Sequence, residues 1–444
     1  MDTTCAYSER VSAIHLLRSG HPAGEVAAQM GRSLAWVYKW QKRFLEHGDW
    51  NDLRDRTRAP KKKSQRISED IRREVTQARS QLEAEACQPK KLSYIGGYAI
   101  RNRLHQKDVR PLPSRASIER IIAAEGMTRP CRAQETKIPY PHLQPTQPHQ
   151  LTQVDIVPRY LPGGGCVSCF NAIDVVSRYP TGRQSLSKRS QDACLFVFQV
   201  LQDLGFSEYL QLDNESCFSG GFTHPGVIGK VVRLLLYFGV QPVFSPFYLP
   251  ESNGTVERFH QDYMANTWDK DEMRDLPAVQ VNSAPFFELY RNSGHHSGLD
   301  GLSPTQVHWA QPTLRLSKDF HLPKGKLPIT AGQVHFIRIV QADQTISVAN
   351  ITWEVPNAKV NEGVWTTLAI TCQRATLRVY DTAPDAAKRS CLIAYPFPLK
   401  EQVQSLRPEF QAPMPVPVSW WGLAANLFRS TVLARLPAWL STML

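Results

Sequence analysis

Two stretches, Leu212–Phe218 (LDNESCF) and Ser245–Tyr263 (SPFYLPESNGTVERFHQDY), decide how this chain of 444 residues is read. The apolar residues Tyr209, Leu210 and Leu212 run directly into Asp213, the pattern of a carboxylate at the end of a buried strand. In the second stretch the residues change from loop-forming to helix-forming after Pro250. Ser252 is the expected N-cap there, which puts Glu257 in the first turns of a helix, on the face shared by Asn253 and Gln261 through i, i+4 spacing. A third acid, Asp155, interrupts the alternating run Leu151–Tyr160, LTQVDIVPRY. A charge within an apolar strand is costly to bury unless something pairs with it. A single such Asp is most often a cap or turn residue. Two acids on strands and one on a helix can instead converge on one point, a geometry that no single segment supplies.

Three converging carboxylates in a basic chain suit hard oxygen ligation of Mg²⁺, with phosphate oxygens completing the shell. The set resembles the DDE catalytic core of retroviral-type integrases and bacterial insertion-sequence transposases. Asp155 matches the first carboxylate, Asp213 with Asn214 the second, and the PESNGTVE stretch from Pro250 to Glu257 the third. The last match is the most specific: a small residue, Asn, Gly, two residues and then Glu. The resemblance covers Pro148 to Trp309 and extends more weakly to both flanks.

It implies an RNase H-like α/β core and a polynucleotidyl transferase that nicks the ends of a mobile element and joins the 3′-hydroxyls to target DNA. Asp155, Asp213 and Glu257 are then the catalytic residues and hold two Mg²⁺ (or Mn²⁺) ions per active site. Asn253, Gly254 and Arg258 are implied nucleic-acid contacts. In two respects the chain departs from the family: Glu215 stands where the best-known integrases have Gly, and Asp213 and Glu257 are more widely spaced. Glu215 and Glu251 are therefore rival ligands, and Asp174, on the next strand, ranks below Asp155. The other readings are a non-catalytic DNA-binding regulator derived from a transposase, and an RNase H-like nuclease that cuts without joining.

The formal charge of +12 favours a polyanionic partner. The nine cysteines are scattered. Cys166 and Cys169 form the only close pair and lack a second pair or nearby histidines, so CVSC reads as a strand start rather than a zinc site. With no disulfide framework and no signal-peptide pattern, the cytoplasm is the expected compartment, and the resemblance to insertion-sequence transposases implies the nucleoid of a bacterium. No membrane association is expected.

The expected organisation is multidomain: an α/β RNase H-like core preceded by all-α helix-turn-helix domains and followed by a small β-barrel. Residues 1–53 read as three short helices, with Gly31 at the turn and Ser33 capping a recognition helix. That helix offers Trp36, Lys39, Lys42 and Arg43 as DNA contacts. Residues 54–66 form a basic linker and 67–130 a second helical DNA-binding domain. Residues 131–147 make a Pro-rich linker, and 148–312 the catalytic core, in the order three strands, helix, strand, helix, strand, helix. Lys230 and Arg233 are weaker phosphate-contact candidates within it.

Residues 313–385 alternate as a small barrel in which Arg338, Lys359, Arg374 and Arg378 could reach DNA. In the tail, 386–444, Trp420, Trp421, Leu427, Leu433, Leu436 and Trp439 could form a partner-docking helix. The partners expected are the element's terminal repeats, target DNA, further copies of the chain, and an ATPase helper as an open option.

Overall fold

The computed structural model describes residues 3–55, 67–128, 140–220, 226–247, 250–294 and 296–411. Most of the expected basic linker, most of the Pro-rich linker and the expected docking helix lie outside the described residues. The chain divides into two compact units, Met1–Ser68 and Glu69–Leu444. No helix among the described residues is long and apolar enough to cross a membrane.

In the first unit α1 (Thr3–Arg18), α2 (Ala23–Gln29) and α3 (Leu34–Leu45) follow the expected three-helix order. Gly31 turns the chain between α2 and α3 at φ +60°, where a side chain would be strained. Ser33 Oγ accepts from Trp36 N at 3.2 Å and caps α3. Ala13, Val26, Ala27 and Val37 form one apolar cluster and Ile14, Trp40, Phe44 and Leu53 a second, with Leu17 and Trp36 touching both.

The second unit opens with α4 (Glu69–Ala86), α5 (Gly97–Gln106) and α6 (Arg115–Ala124). Buried Arg79 closes this group by donating to Ile95 O and, at 3.1 Å, to Met127 O. The helices are also tied to the segment that follows the core strands: Asn102 Nδ2 donates to Gly294 O at 2.7 Å and Ser93 N to Asn266 Oδ1 at 2.6 Å.

β1 (Leu151–Tyr160), β2 (Cys166–Asp174) and β3 (Pro180–Ser185) then form an antiparallel meander. α7 (Ser190–Asp203) crosses over to β4 (Tyr209–Leu212), which pairs parallel with β1. The short α8 (Ser216–Ser219) and α9 (Lys230–Tyr237) lead to β5 (Gln241–Phe244), parallel to β4, and then to α10 (Gly254–Asn266). This is the expected RNase H-type order.

Strand alternation sorts the residues between two faces. Val154, Ile156, Phe170, Ala172, Leu210 and Leu212 pack against α7 and α9. Cys169 and Ile173 face the other way, against Val256, Phe259 and Tyr263 of α10 and Val279, Phe286 and Phe287 of α11 (Leu276–Asn292). Cys166 is exposed and Cys169 buried, so this pair does not form a shared ligand site. α11 was not expected, because Pro285 inside it reads as a breaker. α12 (Pro304–His308) closes the core, with the Ser303 capping box at its start.

The strands expected to form a separate barrel carry the core sheet onward instead. After β6 (Ile329–Thr330), β7 (Gly332–Ile339) pairs parallel with β5 through Val243–His335 and Phe244–Phe336. β8 (Thr345–Val348) and β9 (Ile351–Glu354) form a side hairpin. β10 (Gly363–Ile370), β11 (Ala375–Tyr380) and β12 (Cys391–Pro396) continue antiparallel from β7. The described residues thus build a nine-stranded mixed sheet in the order β12-β11-β10-β7-β5-β4-β1-β2-β3. β5 presents an open edge to β7, and pairing there satisfies its backbone better than a barrel closed on itself could.

Candidate active site

Parallel pairing of β1 with β4 sets Gln153 beside Gln211. Two residues further along each chain stand Asp155 and Asp213. The same Gln-x-Asp pattern in both segments, with strand alternation, turns both glutamines and both aspartates toward the α10 face.

The two glutamines also hold the helix that carries Glu257. Gln153 Nε2 donates to Ser252 O at 3.1 Å, and Gln211 Nε2 to the same oxygen at 2.9 Å. Gln153 Oε1 accepts from Thr255 N at 3.1 Å and Val256 N at 3.2 Å, two of the free N–H groups at the start of α10. This corrects the expected Ser252 cap. Ser252 lies in a 3₁₀ turn, Pro250–Asn253, and Asn253 is the N-cap residue without a side-chain cap bond. The capping acceptor comes from β1 instead, so α10 is docked on the strand that bears Asp155.

Asp155 stands within the electrostatic reach of both other acids. Burial pushes the Asp155 carboxyl up to about 7, and the charges of Asp213, Glu257 and Glu215 add to the effect. Asp213 rises to about 6, first through burial and then through Glu215, while Lys188 opposes the shift. Glu257 is half-buried, in the first turn of α10. Glu215 is held by Lys188, whose Nζ lies 3.2 Å from Oε1, so its carboxylate is already engaged. The side chain of Glu251, the other rival, lies outside the described residues. One turn beyond Glu257, buried His260 brings Nδ1 to 3.6 Å from Asp155 Oδ2. Burial lowers its pKa to about 4, so this is contact with a neutral ring and not an ion pair. Partly desolvated carboxylates gathered in this way are a donor set of hard oxygens that fits a divalent cation.

A second polar group, His149, Asp174 and His308, brings its donor atoms within 4.8 Å of one another. Most of its polar atoms already have hydrogen-bond partners. Asp174 accepts from His149 N at 2.7 Å, Ser177 N at 2.7 Å and Val176 N at 3.1 Å. His308 donates Nε2–H to Leu204 O at 2.9 Å and meets Ser177 Oγ through Nδ1 at 2.8 Å. His149 Nε2 donates to His308 O at 2.9 Å. A cation here would have to break several existing hydrogen bonds.

The expected nucleic-acid contacts divide. Lys39 and Lys42 are exposed on α3, beside Tyr38, which sequence reading passed over. Trp36 is half-buried and packs between the two clusters of its unit, and Arg43 donates to Arg54 O at 2.9 Å. Both serve the fold before any ligand. Gly254 is exposed, with open space at its Cα, and Arg258 is exposed beside Gln261 and Asp262. Asn253 is buried and accepts from Ser245 Oγ at 3.1 Å, which ties its side-chain oxygen to the end of β5.

Arg233 is turned inward, donating to Ile228 O at 2.9 Å, and buried Arg338 is likewise unavailable to DNA. Sequence reading missed Gln153, Gln211 and His260. The repeated Gln-x-Asp was the signal for the first two.

Residues 7–49 match the family model of a homeodomain-like domain, and residues 238–304 that of an integrase core domain. Among solved structures, the HTLV-2 integrase catalytic core domain in complex with magnesium is 14% identical. It covers 37% of this chain and 99% of its own, with a TM-score of 0.30. The simian T-cell lymphotropic virus intasome, in complex with PP2A regulatory subunit B56 gamma, is 13% identical over 70% of this chain and 96% of its own (TM-score 0.32). The BIV integrase catalytic core domain is 19% identical over 36% of this chain and 95% of its own (TM-score 0.28). The chain therefore carries a homeodomain-like match towards its N-terminal side and an integrase-core match over α10 and α11.

Proposed function

We propose that this protein is a DNA transposase or integrase of the polynucleotidyl transferase class, working at Asp155, Asp213 and Glu257. The observation that carries the reading is the placement of these acids around Asp155, which is largely buried within the field of Asp213 and Glu257, while Glu257 stands on a helix bonded to the strand that bears Asp155. Such a site gains from a multivalent cation what it loses by assembling like charges.

Asp155 and Asp213 would share the ions and Glu257 would complete the shell, with Mg²⁺ or Mn²⁺ as the fitting metals and two ions as the proposed number. When bound, such ions polarise a phosphoryl oxygen and lower the pKa of an attacking water or hydroxyl. Gln153 and Gln211 keep the helix-borne acid in register with the strand-borne pair. In the first reaction water attacks a phosphodiester and the element's 3′-oxygen leaves with a proton. In the second that 3′-hydroxyl attacks a target phosphodiester, so one P–O bond replaces another and no ATP is consumed.

Lys39, Lys42 and Tyr38 of α3 are the proposed contacts of the homeodomain-like domain with DNA. Gly254 and Arg258 are those of the core. Both ends of an element must be held at once, which supports assembly of several copies on DNA.

The test is incubation of the full chain with Mg²⁺, a labelled duplex from the DNA flanking its gene, and a plasmid. Joined product is expected from the wild type, and neither cutting nor joining from Asp213→Asn, which should still shift the duplex in a gel. Cut product alone would favour a nuclease, and a shifted band alone a regulator. Full activity of Asp213→Asn would refute the reading.

A further inference from the structure

Arg338 lies in β7, among the strands beyond the core, and is 4% exposed. Its guanidinium donates through Nε to Ser347 O at 2.8 Å and through Nη1 to Ile337 O at 2.8 Å and Ser245 O at 3.1 Å. Nη2 donates to Asn214 Oδ1 at 3.0 Å. The rings of Phe247 and Phe336 lie 4.5 and 5.1 Å from it. Among the described residues no carboxylate offsets the charge, and burial pulls its pKa down to about 9. A buried cation without a counter-ion is expensive to keep, so what it holds is informative.

What it holds is the frame of the acid cluster. Asn214 directly follows Asp213 and donates through Nδ2 to Ser245 O at 2.7 Å, the same oxygen that takes Arg338. Ser245 N bonds Leu212 O at 2.9 Å, and its Oγ accepts from Gln211 at 3.0 Å. The same hydroxyl donates at 3.1 Å to Asn253, the residue before α10. An unbroken run of direct hydrogen bonds therefore leads from β7 to the Asp213 loop and to the helix bearing Glu257.

We propose that Arg338 is a positioning residue that fixes Asp213 and Glu257 relative to each other, so that cation binding at the acids depends on the strands beyond the core. This rests on the reading of the acids as a cation site. It reverses the expectation from sequence, in which Arg338 reaches DNA.

The test titrates the full chain with Mg²⁺ alone and follows its melting temperature. The wild type should gain stability with Mg²⁺ and Asp213→Asn should not. If that difference is absent, the reading of the acids fails and this proposal falls with it. Where the difference holds, Arg338→Met should need roughly tenfold more Mg²⁺ for half the gain, as loss of an outer partner commonly does. Arg338→Lys, which keeps charge and loses the planar fork, should be displaced less. Asn214→Ala cuts the same link while leaving the cation in place, and should match Arg338→Met. Combining Asn214→Ala with Arg338→Lys should add nothing further. A role in packing alone would lower the melting temperature without Mg²⁺ and leave the half-saturating concentration unchanged in all three single variants. That result overturns the proposal, and if Arg338→Met fails to fold, the other two variants decide it.

Discussion

Two polar clusters, one at Asp174 opposite Thr152 of β1 and one at Asp155 within β1, are built on opposite terms. Around Asp174 the histidines, serine and backbone N–H groups engage one another through several hydrogen bonds. Around Asp155 the neighbours are acids of the same sign, and the strain shows in carboxyls lifted to about 7 and about 6. Both clusters contain residues that can ligate metal. The lesson is that residue type does not separate a site from a scaffold. What separates them is whether the groups are already satisfied.

The sharpest way to break this comparison is to change each cluster and read activity. Glu257→Gln should lower cutting and joining by roughly a thousandfold or more, as loss of a preorganised charge-stabilising group does, measured by product formation with duplex binding as the control. His308→Ala should instead cost stability, roughly 2–4 kcal/mol for a buried hydrogen-bonded ring, measured by urea unfolding. The folded fraction should keep its Mg²⁺ dependence.

Asp155→Asn should move stability the other way. The folded carboxyl titrates near 7, far above the unfolded value, so ionising it opposes folding. That penalty is full above about pH 7, fades as the pH falls through 7 and is gone below about pH 4. Without divalent cations the variant should therefore be more stable than wild type at pH 8, by a few kcal/mol at most, and equal to it at pH 4. A loss of stability at pH 8 would show that the site is not electrostatically crowded.

Gln153→Ala should reduce activity by about 10- to 100-fold through loosening of α10, as disturbed ligand support does, visible as a higher Mg²⁺ requirement. Lys39→Ala and Lys42→Ala should have the smallest effects. Each should weaken duplex binding a few-fold and lower the salt dependence by about one unit of slope, read by gel shift at several salt concentrations.

Much of this was legible in the chain itself. Tyr209–Leu212 running into Asp213, and the loop-to-helix change before Glu257, disclosed both segments, because strand ends and helix starts have local signatures. The order of core elements followed from alternation and helical spacing. Pairing partners were not legible. Nothing in Gly332–Ile339 says that it will join β5, and its near-continuous burial removes the polar alternation that would have shown Arg338 turned inward. Gln153 looked like an ordinary strand polar residue, because its partners, Ser252, Thr255 and Val256, are about a hundred residues away in sequence. Helix α11 was hidden by Pro285, whose missing N–H is tolerated where Phe286 and Phe287 pack on the sheet.

The central claim is tested most directly by the anomalous density of crystals grown with Mn²⁺. The account predicts scattering peaks among Asp155, Asp213 and Glu257 and none at His149, Asp174 and His308. A peak confined to the histidine cluster, or acids left without any, would contradict it.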